Sequence, residues 1–382
     1  MKKVVRVKLL PDANVRPVLA ETLARCNEAA TMAAAVAHHR GITRGWDLRT
    51  VTYGDAKALG LSAQPAQCSI RKAFDATKAR RANARAGNYG PVGSPRRERI
   101  MSKPVRFQPD AAQPYDDRCL SWDHDRRTVS IWTIQGRIRV PFTGKRRHLR
   151  ELAAHRKGES DLVLKDGQFY LYATCDIPDA PEVTPTGFLG VDLGVSNLAV
   201  TSDGTMHGVN DQLRKLREAR IAERRALQQV GTRSAKRKLK KKSGREARRM
   251  TDLNHCISKT IVAEAERTGR GISLEALSGI RGRVRHRKPQ RATFHSWAFA
   301  QLAAFIAYKS VGAGVPVQII DPVYTSQECS RCGHVDRKNR PSQDRFACRS
   351  CRMSLHADVN AAINIAHRGD REHRAALVAS AA

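Results

Sequence analysis

FLGVDLGVSNLAVTSDGTMHGV, residues 188–209, decides the fold of the C-terminal half of the chain. Its apolar runs, FLGVDLG and LAVTSDGTMHGV, read as three consecutive strands, with Asp203-Gly204 turning the second into the third. Just upstream, the proline-punctuated DIPDAPEVTPTG is a linker, so a new domain begins at Phe188. Downstream, helical stretches run from Asn210 to Arg267 and an apolar strand, GISLEAL, covers 271–277. A helix is expected from about Thr293 to Val311, VPVQIID forms a strand over 315–321, and a last helix opens in HADVNAAINIAH.

Three strands, helix, strand, helix, strand, helix is the order of an RNase H-like α/β fold. The N-terminal half reads differently. MKKVVRVKLLPDANVRP alternates apolar and basic residues, which predicts a strand over 2–9 rather than the continuous apolar core of a signal peptide. Pro11 opens an alanine-rich helical stretch to about His39, and helical pattern continues to about Ala86. Within it Arg71, Lys72, Lys78, Arg80, Arg81 and Arg85 make a basic helix, of which Arg71, Lys72 and Lys78 are candidates for nucleic-acid contact. NYGPVGSPRRERIMSKP, 88–104, reads as a loop. From Val105 to Pro178 short alternating strands predict a small β-barrel that the N-terminal strand joins, with a hairpin turn at Lys165-Asp166-Gly167.

The 382 residues suggest two to four modules, and 41% hydrophobic residues with no apolar run of membrane-spanning length exclude both a membrane span and a disordered chain. A cytoplasmic protein is expected. Lys and Arg number 69 against 36 acidic residues, a net charge of +33 that calls for a polyanion. A membrane surface would require an amphipathic helix with a bulky apolar face, whereas these basic segments are poor in aromatics. Nucleic acid is the expected partner.

Cys329-x2-Cys332-x15-Cys348-x2-Cys351 places two thiolate pairs on tight knuckles, able to present four sulfurs in the closed tetrahedron of a structural zinc. The basic Arg331, Lys338, Arg340, Arg345 and Arg349 suit a ribbon near phosphates. The other cysteines, Cys26, Cys68, Cys119, Cys175 and Cys256, stand singly and read as small apolar residues. Three carboxylates are placed where burial is costly. Asp192 sits inside FLGVDLG, Glu275 inside ISLEAL, and Asp358 opens the last helix. Together they invite hard divalent cations, Mg²⁺ or Mn²⁺, and two such ions suit phosphodiester cleavage. Any one alone is equally a solvated strand end or a helix cap, and Asp358 in particular suits a plain first-turn acid.

Between Leu213 and Met250 lie 16 Lys or Arg against three Glu, more than a solvated helix face requires; Lys236, Arg237, Lys238, Lys240, Lys241 and Lys242 are candidates for phosphate contact. RGRVRHRKPQR, 281–291, with Arg285 and Arg287, reads as a lid contacting substrate or a plain exposed loop. His295, Trp297, Phe299 and Phe305 fall near helical spacing and read as core.

GVDLGVSNLAVTSDG, ISLEALSGIRG, SWAFAQLAAFIAYKS and YTSQECSRCGHVDRKNRPSQDRFACRSCRMSLHADVNAAINIA resemble TnpB, the nuclease family of insertion-sequence transposons that is similar to the small type V CRISPR effectors. The resemblance is specific from about Gly187 to Ala366. It implies an RNA-guided DNA endonuclease whose RuvC triad is Asp192, Glu275 and Asp358, with a wedge barrel and a recognition domain that hold guide RNA and read a short target-adjacent motif. The implied layout is 1–10 as first strand of the wedge β-barrel, 11–103 as helical recognition domain and 104–180 as the rest of the barrel. Residues 181–325 begin the RuvC domain, 326–352 form the zinc ribbon, 353–370 the last RuvC helix and 371–382 a C-terminal tail. One departure is Arg352, where the family commonly has glycine after the last zinc cysteine; it puts the local turn in question.

The expected cofactors are one structural zinc, two catalytic Mg²⁺ or Mn²⁺ ions and guide RNA; the expected partners are that RNA and target double-stranded DNA, with no membrane. The sequence leaves oligomeric state open and leans to a monomer. A miniature CRISPR effector would share every residue named, a transposase would join DNA ends, and a regulator without cleavage is disfavoured by the intact triad.

Overall fold

The computed structural model describes residues 1–194, 197–208, 211–276 and 299–381, and the chain divides into two units, Lys2–Ile177 and Pro178–Ala382, the latter with Met1. In the first unit the period of two in KKVVRVKL becomes β1 (Lys2–Leu9), which buries Val5, Val7 and Leu9. It is joined by β2 (Gln113–Tyr115), β3 (Leu120–Asp123), β4 (Thr128–Thr133), β5 (Gly136–Thr143), β6 (Arg156–Lys165) and β7 (Gln168–Asp176). The sheet runs β2-β6-β7-β1-β5-β4-β3, with the N-terminal strand at its centre. Its edge strands β2 and β3 are consecutive, linked by residues 116–119, so the sheet nearly closes around Val7, Leu120, Phe169 and Leu171. Asp166-Gly167 makes the expected hairpin turn, both residues at positive φ (51° and 72°).

The helices of this unit are α1 (Val15–His39), α2 (Gly45–Ala58) and α3 (Ala63–Arg85), packed through Ala30, Ala33, Ala37, Leu48, Ala66 and Ile70. α1 starts at Val15 rather than Pro11, because the Asp12 carboxylate accepts the N–H groups of Asn14 and Val15 at 2.9 and 2.8 Å and holds the chain in a turn. Two short helices depart from the sequence reading. Residues 88–104, expected as loop, contain α4 (Pro95–Met101), whose proline occupies the first turn where its missing N–H costs nothing. α5 (Arg146–His155) interrupts the expected run of strands; a single turn-spaced pair, Leu149 and Leu152, packs it on the sheet, too brief a pattern to stand out from a basic connection.

The second unit carries β8 (Phe188–Asp192), β9 (Asn197–Thr201), β10 (Met206–Gly208), β11 (Gly271–Glu275) and β12 (Val317–Ile320), in the order β10-β9-β8-β11-β12. β8, β11 and β12 are parallel, and β9 and β10 are antiparallel to their neighbours. Helices α6 (Asp211–Val230), α7 (Arg233–Arg267), α8 (Phe299–Ala313) and α9 (Ala357–Ala381) complete it. The expected α/β order is therefore present. α9 continues through the segment expected as a tail. The lid residues 281–291 and the start of the helix expected at Thr293 lie outside the described residues.

Alternation along the strands sorts the two faces of this sheet. Leu189, Val191, Ile272 and Leu274 pack against Ile257, Ile261, Leu302 and Ile306 of α7 and α8. The opposite face receives α9 at unusually close range. A Cβ on Gly190 would stand 2.0 Å from the Ala362 carbonyl oxygen, and one on Gly369 would stand 1.7 Å from Ser273 Oγ. Glycine at these two positions lets helix backbone press on the strands. Between β12 and α9 the chain forms the ribbon, with β13 (Arg345–Ala347) antiparallel to β14 (Ser354–His356), which carries it past the expected end at 352.

Candidate metal centres and nucleic-acid surface

In the parallel pair of β8 and β11, Leu274 lies beside Val191, so Asp192 and Glu275 end neighbouring strands at one level. Both share strand parity with the residues that α9 covers, Gly190 and Ser273, which turns their carboxyls to the face where Asp358 enters. Asp358, 8% exposed, lies in the first turn of α9. Arg340 Nη2 donates to its Oδ1 at 3.0 Å and Asn197 Nδ2 to its Oδ2 at 3.2 Å. Thr325 Oγ1 donates to Glu275 Oε1 at 2.5 Å. The Asp192 carboxylate has no hydrogen-bond partner among the described residues.

The electrostatics follow from that arrangement. Burial, then the neighbouring charges of Glu275 and Asp358, raise the Asp192 carboxyl to about 8, against a smaller opposing pull from Arg340. Burial also raises Glu275, with the Thr325 hydroxyl and Arg368 pulling back. Three acids gathered without enough cations is the donor chemistry of a divalent-ion site, and the donors are all hard oxygens. Among the described residues, the four cysteines are the one group of three or more such ligands whose ligand atoms all lie within 4.8 Å of one another, so the three carboxylates are not drawn into a single-ion cage.

Sequence reading placed Arg340 among ribbon cations near phosphates, and the structure puts its guanidinium on Asp358. Thr325 and Asn197 carried no signal at all, since their partners stand 50 and 161 positions away. Asn360 and Asn364 carried one, an i,i+4 pair of amides in an apolar helix. Both are buried on α9. Asn360 accepts the Ser330 N–H at 3.0 Å and donates to the Glu328 carbonyl at 2.8 Å; Asn364 donates to the carbonyls of Thr325 and Glu328 at 2.9 and 2.7 Å. The chain entering the ribbon is thus fastened to the helix that holds Asp358.

Cys329, Cys332, Cys348 and Cys351 meet as the spacing predicts. The sulfurs of Cys329 and Cys351 lie 3.6 Å apart, as do those of Cys332 and Cys348. A tetrahedron with Zn–S of about 2.3 Å has edges of about 3.8 Å, so the four thiols fit zinc. Each second cysteine is followed by a left-handed residue. Gly333 (φ 75°) donates its N–H to Cys329 O at 2.9 Å, and Arg352 (φ 59°) to Cys348 O at 3.1 Å. Arg352 therefore adopts the glycine-like conformation despite its side chain.

The cations expected to face nucleic acid divide. On α3, Arg71 pairs with Glu159, and Arg80 and Arg81 donate to the carbonyls of Lys103 and Ile42. Lys72 turns inward to Asn27 and Gln113, which removes it from the outward stripe. Lys78 and Arg85 remain exposed. On α7, Lys236, Arg237, Lys238, Lys240 and Lys241 are exposed, and their side chains make no hydrogen bond or ion pair among the described residues, while Lys242 pairs with Glu223. Arg285, Arg287, His295 and Trp297 lie outside the described residues. Phe305, expected in the core, is half-buried and stacks on His255, with ring centroids 4.0 Å apart.

Residues 171–273 match the family model described as "Probable transposase", and 299–365 the one described as "Cas12f1-like, TNB domain". A "CRISPR-associated endodeoxyribonuclease Cas12f1" of Sulfoacidibacillus thermotolerans is 44% identical over 30% of this chain and 26% of its own length. A "TnpB-like protein" of Methanocaldococcus jannaschii is 35% identical over 33% and 45%, and the "Putative RNA-guided DNA endonuclease InsQ" of Escherichia coli 28% over 53% and 54%. The chain thus spans about half or less of these curated relatives. Among solved structures, a Cas12f1 chain from an sgRNA and target DNA complex shares the fold with a TM-score of 0.60 at 13% identity, covering 96% of this chain and 98% of that one. CasPhi-2 bound to crRNA aligns at 0.53 and 10%, over 96% and 98%. Family models and curated relatives together make the C-terminal half of this chain similar to TnpB-like and Cas12f proteins, and the solved structures share its fold.

Proposed function

We propose that this protein is a transposon-encoded, RNA-guided DNA endonuclease that cuts target DNA beside a short flanking motif. The observation that carries the reading is the convergence of Asp192, Glu275 and Asp358 on one face of the sheet, at the ends of β8 and β11 and the start of α9. We assign the second unit to an RNase H-like RuvC domain with the ribbon inserted before its last helix. The near-closed sheet of the first unit is the wedge barrel and its helical insertion the recognition domain.

Asp192, Glu275 and Asp358 would hold two Mg²⁺ or Mn²⁺ ions, which when bound supply an activated water and charge neutralisation for phosphodiester hydrolysis. Arg340 offers a fixed planar donor pair beside Asp358, suited to a phosphate oxygen. Thr325 orients Glu275, and Asn197 holds the far oxygen of Asp358. The four cysteines hold zinc as a structural ion, because four thiolates leave no open position. The exposed cations of α7 face RNA phosphates, and base pairing selects the target. Among the described residues no helix is long and apolar enough to cross a membrane.

The test is to sequence the RNA that copurifies and to supply it, with Mg²⁺, to a plasmid library randomised beside the target. One defined species with a constant scaffold and a variable end, and cleavage restricted to one flanking motif, is expected. Random cellular RNA with no cutting overturns the reading. The 44% match to a Cas12f1 protein favours a second reading, a miniature CRISPR effector. A repeat-derived end on the copurified RNA would select it.

A further inference from the structure

Tyr324 has a backbone that opposes its residue type. Its φ is 63°, in the left-handed region that bulky L residues avoid, and no glycine stands there to relieve it. The surroundings hold it in place. Its carbonyl accepts the N–H groups of both Gln327 and Glu328 at 2.9 Å, and the carbonyls of Asp321 and Val323 on the approach are both held by Arg368. Thr325 follows immediately, 3% exposed, with its hydroxyl on Glu275. The ring is left over. Tyr324 as a whole is 57% exposed, and its ring stacks on no aromatic ring or cation among the described residues.

A strained conformation fixed from every side, next to a carboxylate cluster, with an aromatic face kept in solvent, is what a substrate-positioning residue requires. We propose that Tyr324 stacks on a nucleobase beside the bond being cut, setting the phosphodiester over Asp192, Glu275 and Asp358. This rests on the nuclease reading above. Thr325 reaches into the cluster with its hydroxyl, and consecutive Cα atoms are about 3.8 Å apart, so the Tyr324 backbone is held one residue from a side chain that touches it. Stacking on a ring tolerates any base, which suits an enzyme whose sequence choice resides in its RNA.

The experiment compares single-turnover DNA cleavage, with the copurifying guide RNA and Mg²⁺, for wild type, Tyr324→Phe, Tyr324→Ala and Tyr324→Asn. Loss of one base stack should slow Tyr324→Ala and Tyr324→Asn by about tenfold, while Tyr324→Phe stays near wild type. Asparagine tolerates the left-handed region, so Tyr324→Asn should melt no lower than wild type although it cuts slowly. An abasic nucleotide beside the cut should slow wild type by the same factor and leave Tyr324→Ala unchanged, a dependence that a purely structural role for the ring would not produce. If wild type cuts and Tyr324→Ala cuts equally fast, or if the abasic penalty is the same in both, this inference is overturned alone. If wild type cuts no DNA, the nuclease reading falls and takes this inference with it.

Discussion

Lys72 in the first unit and Asp192 in the second are both half-buried ionisable groups, and their surroundings differ. The Lys72 ammonium donates to the amide oxygens of Asn27 and Gln113 and lies over the Phe107 ring, 4.7 Å from its centroid. Burial lowers its pKa to about 8, with Cys26 and Asp161 working the other way. Asp192 has no hydrogen-bond donor among the described residues, and two further carboxylates are its neighbours. A buried charge supplied with partners by its own chain holds structure together. One surrounded by like charge stores an unfavourable interaction that only an external cation removes. That contrast, more than burial itself, separates the candidate site from the polar interior of the first unit.

The strongest way to break the contrast is to remove the acids. Asp192→Ala, Glu275→Ala and Asp358→Ala should each slow DNA cleavage at least about a thousandfold, roughly 4 kcal/mol of transition-state stabilisation, while RNA-dependent target binding persists. Cleavage and binding titrations on the same preparations check this, and any one variant cutting near the wild-type rate removes that residue from the site. Asp192→Asn should melt at or above wild type when no divalent ion is added, because it relieves like-charge repulsion.

Removing Lys72 should do the opposite. Lys72→Met leaves buried amide oxygens unpaired and should cost about 1 to 3 kcal/mol of stability. The salt dependence of RNA affinity should not change. A flatter salt slope for Lys72→Met would show that this ammonium reaches phosphate after all.

A third measurement uses pH. The folded protein keeps the Asp192 proton up to about 8, whereas the unfolded chain releases it near the ordinary carboxyl value of 3.8. The folded state therefore binds more protons across that window. Its contribution to stability is full below the lower value and is lost as pH rises through the upper one, at up to about 1.4 kcal/mol per pH unit. Thermal melting without added divalent ions should fall from pH 6 to pH 9, Mg²⁺ should restore it most at the alkaline end, and Asp192→Asn should flatten the trend. Equal slopes in wild type and Asp192→Asn would place the titration elsewhere.

The smallest effect on stability is expected from the exposed charges, a third environment that neither buries nor pairs. Replacing Lys240 and Lys241 by Gln should change stability by no more than about 0.5 kcal/mol and yet flatten the salt slope of RNA binding by about one unit per lost phosphate contact. An unchanged slope would make that part of α7 a solvated face only.

The features legible in the sequence were those written in local pattern. Alternation in KKVVRVKL, the apolar runs of β8 and β11, and the doubled Cys-x2-Cys spacing each reflect a geometry of neighbouring residues, and each is found in the structure. An acid inside an apolar run is equally local, so Asp192 and Glu275 stood out before any folding was considered. α4 and α5 were missed because seven and ten residues give a helical period too little length to repeat. Arg352 showed as an anomaly, and its left-handed φ is the physical content of that anomaly.

Tertiary structure decided the rest. Lys72 and Lys78 look alike in sequence, and one turns inward because Asn27 on α1 and Gln113 on β2 arrive beside it. Arg340 belongs to a basic ribbon in sequence and reaches Asp358 because Asn360 and Asn364 tie the ribbon entry back onto α9. The approach of α9 itself depends on Gly190 and Gly369, whose missing Cβ atoms are silent until two backbones meet. A sequence states which residues carry charge and which segments bury, because both follow from side-chain chemistry and the period of the backbone. Which charge meets which depends on contacts between segments far apart in the chain, and only the folded molecule sets them.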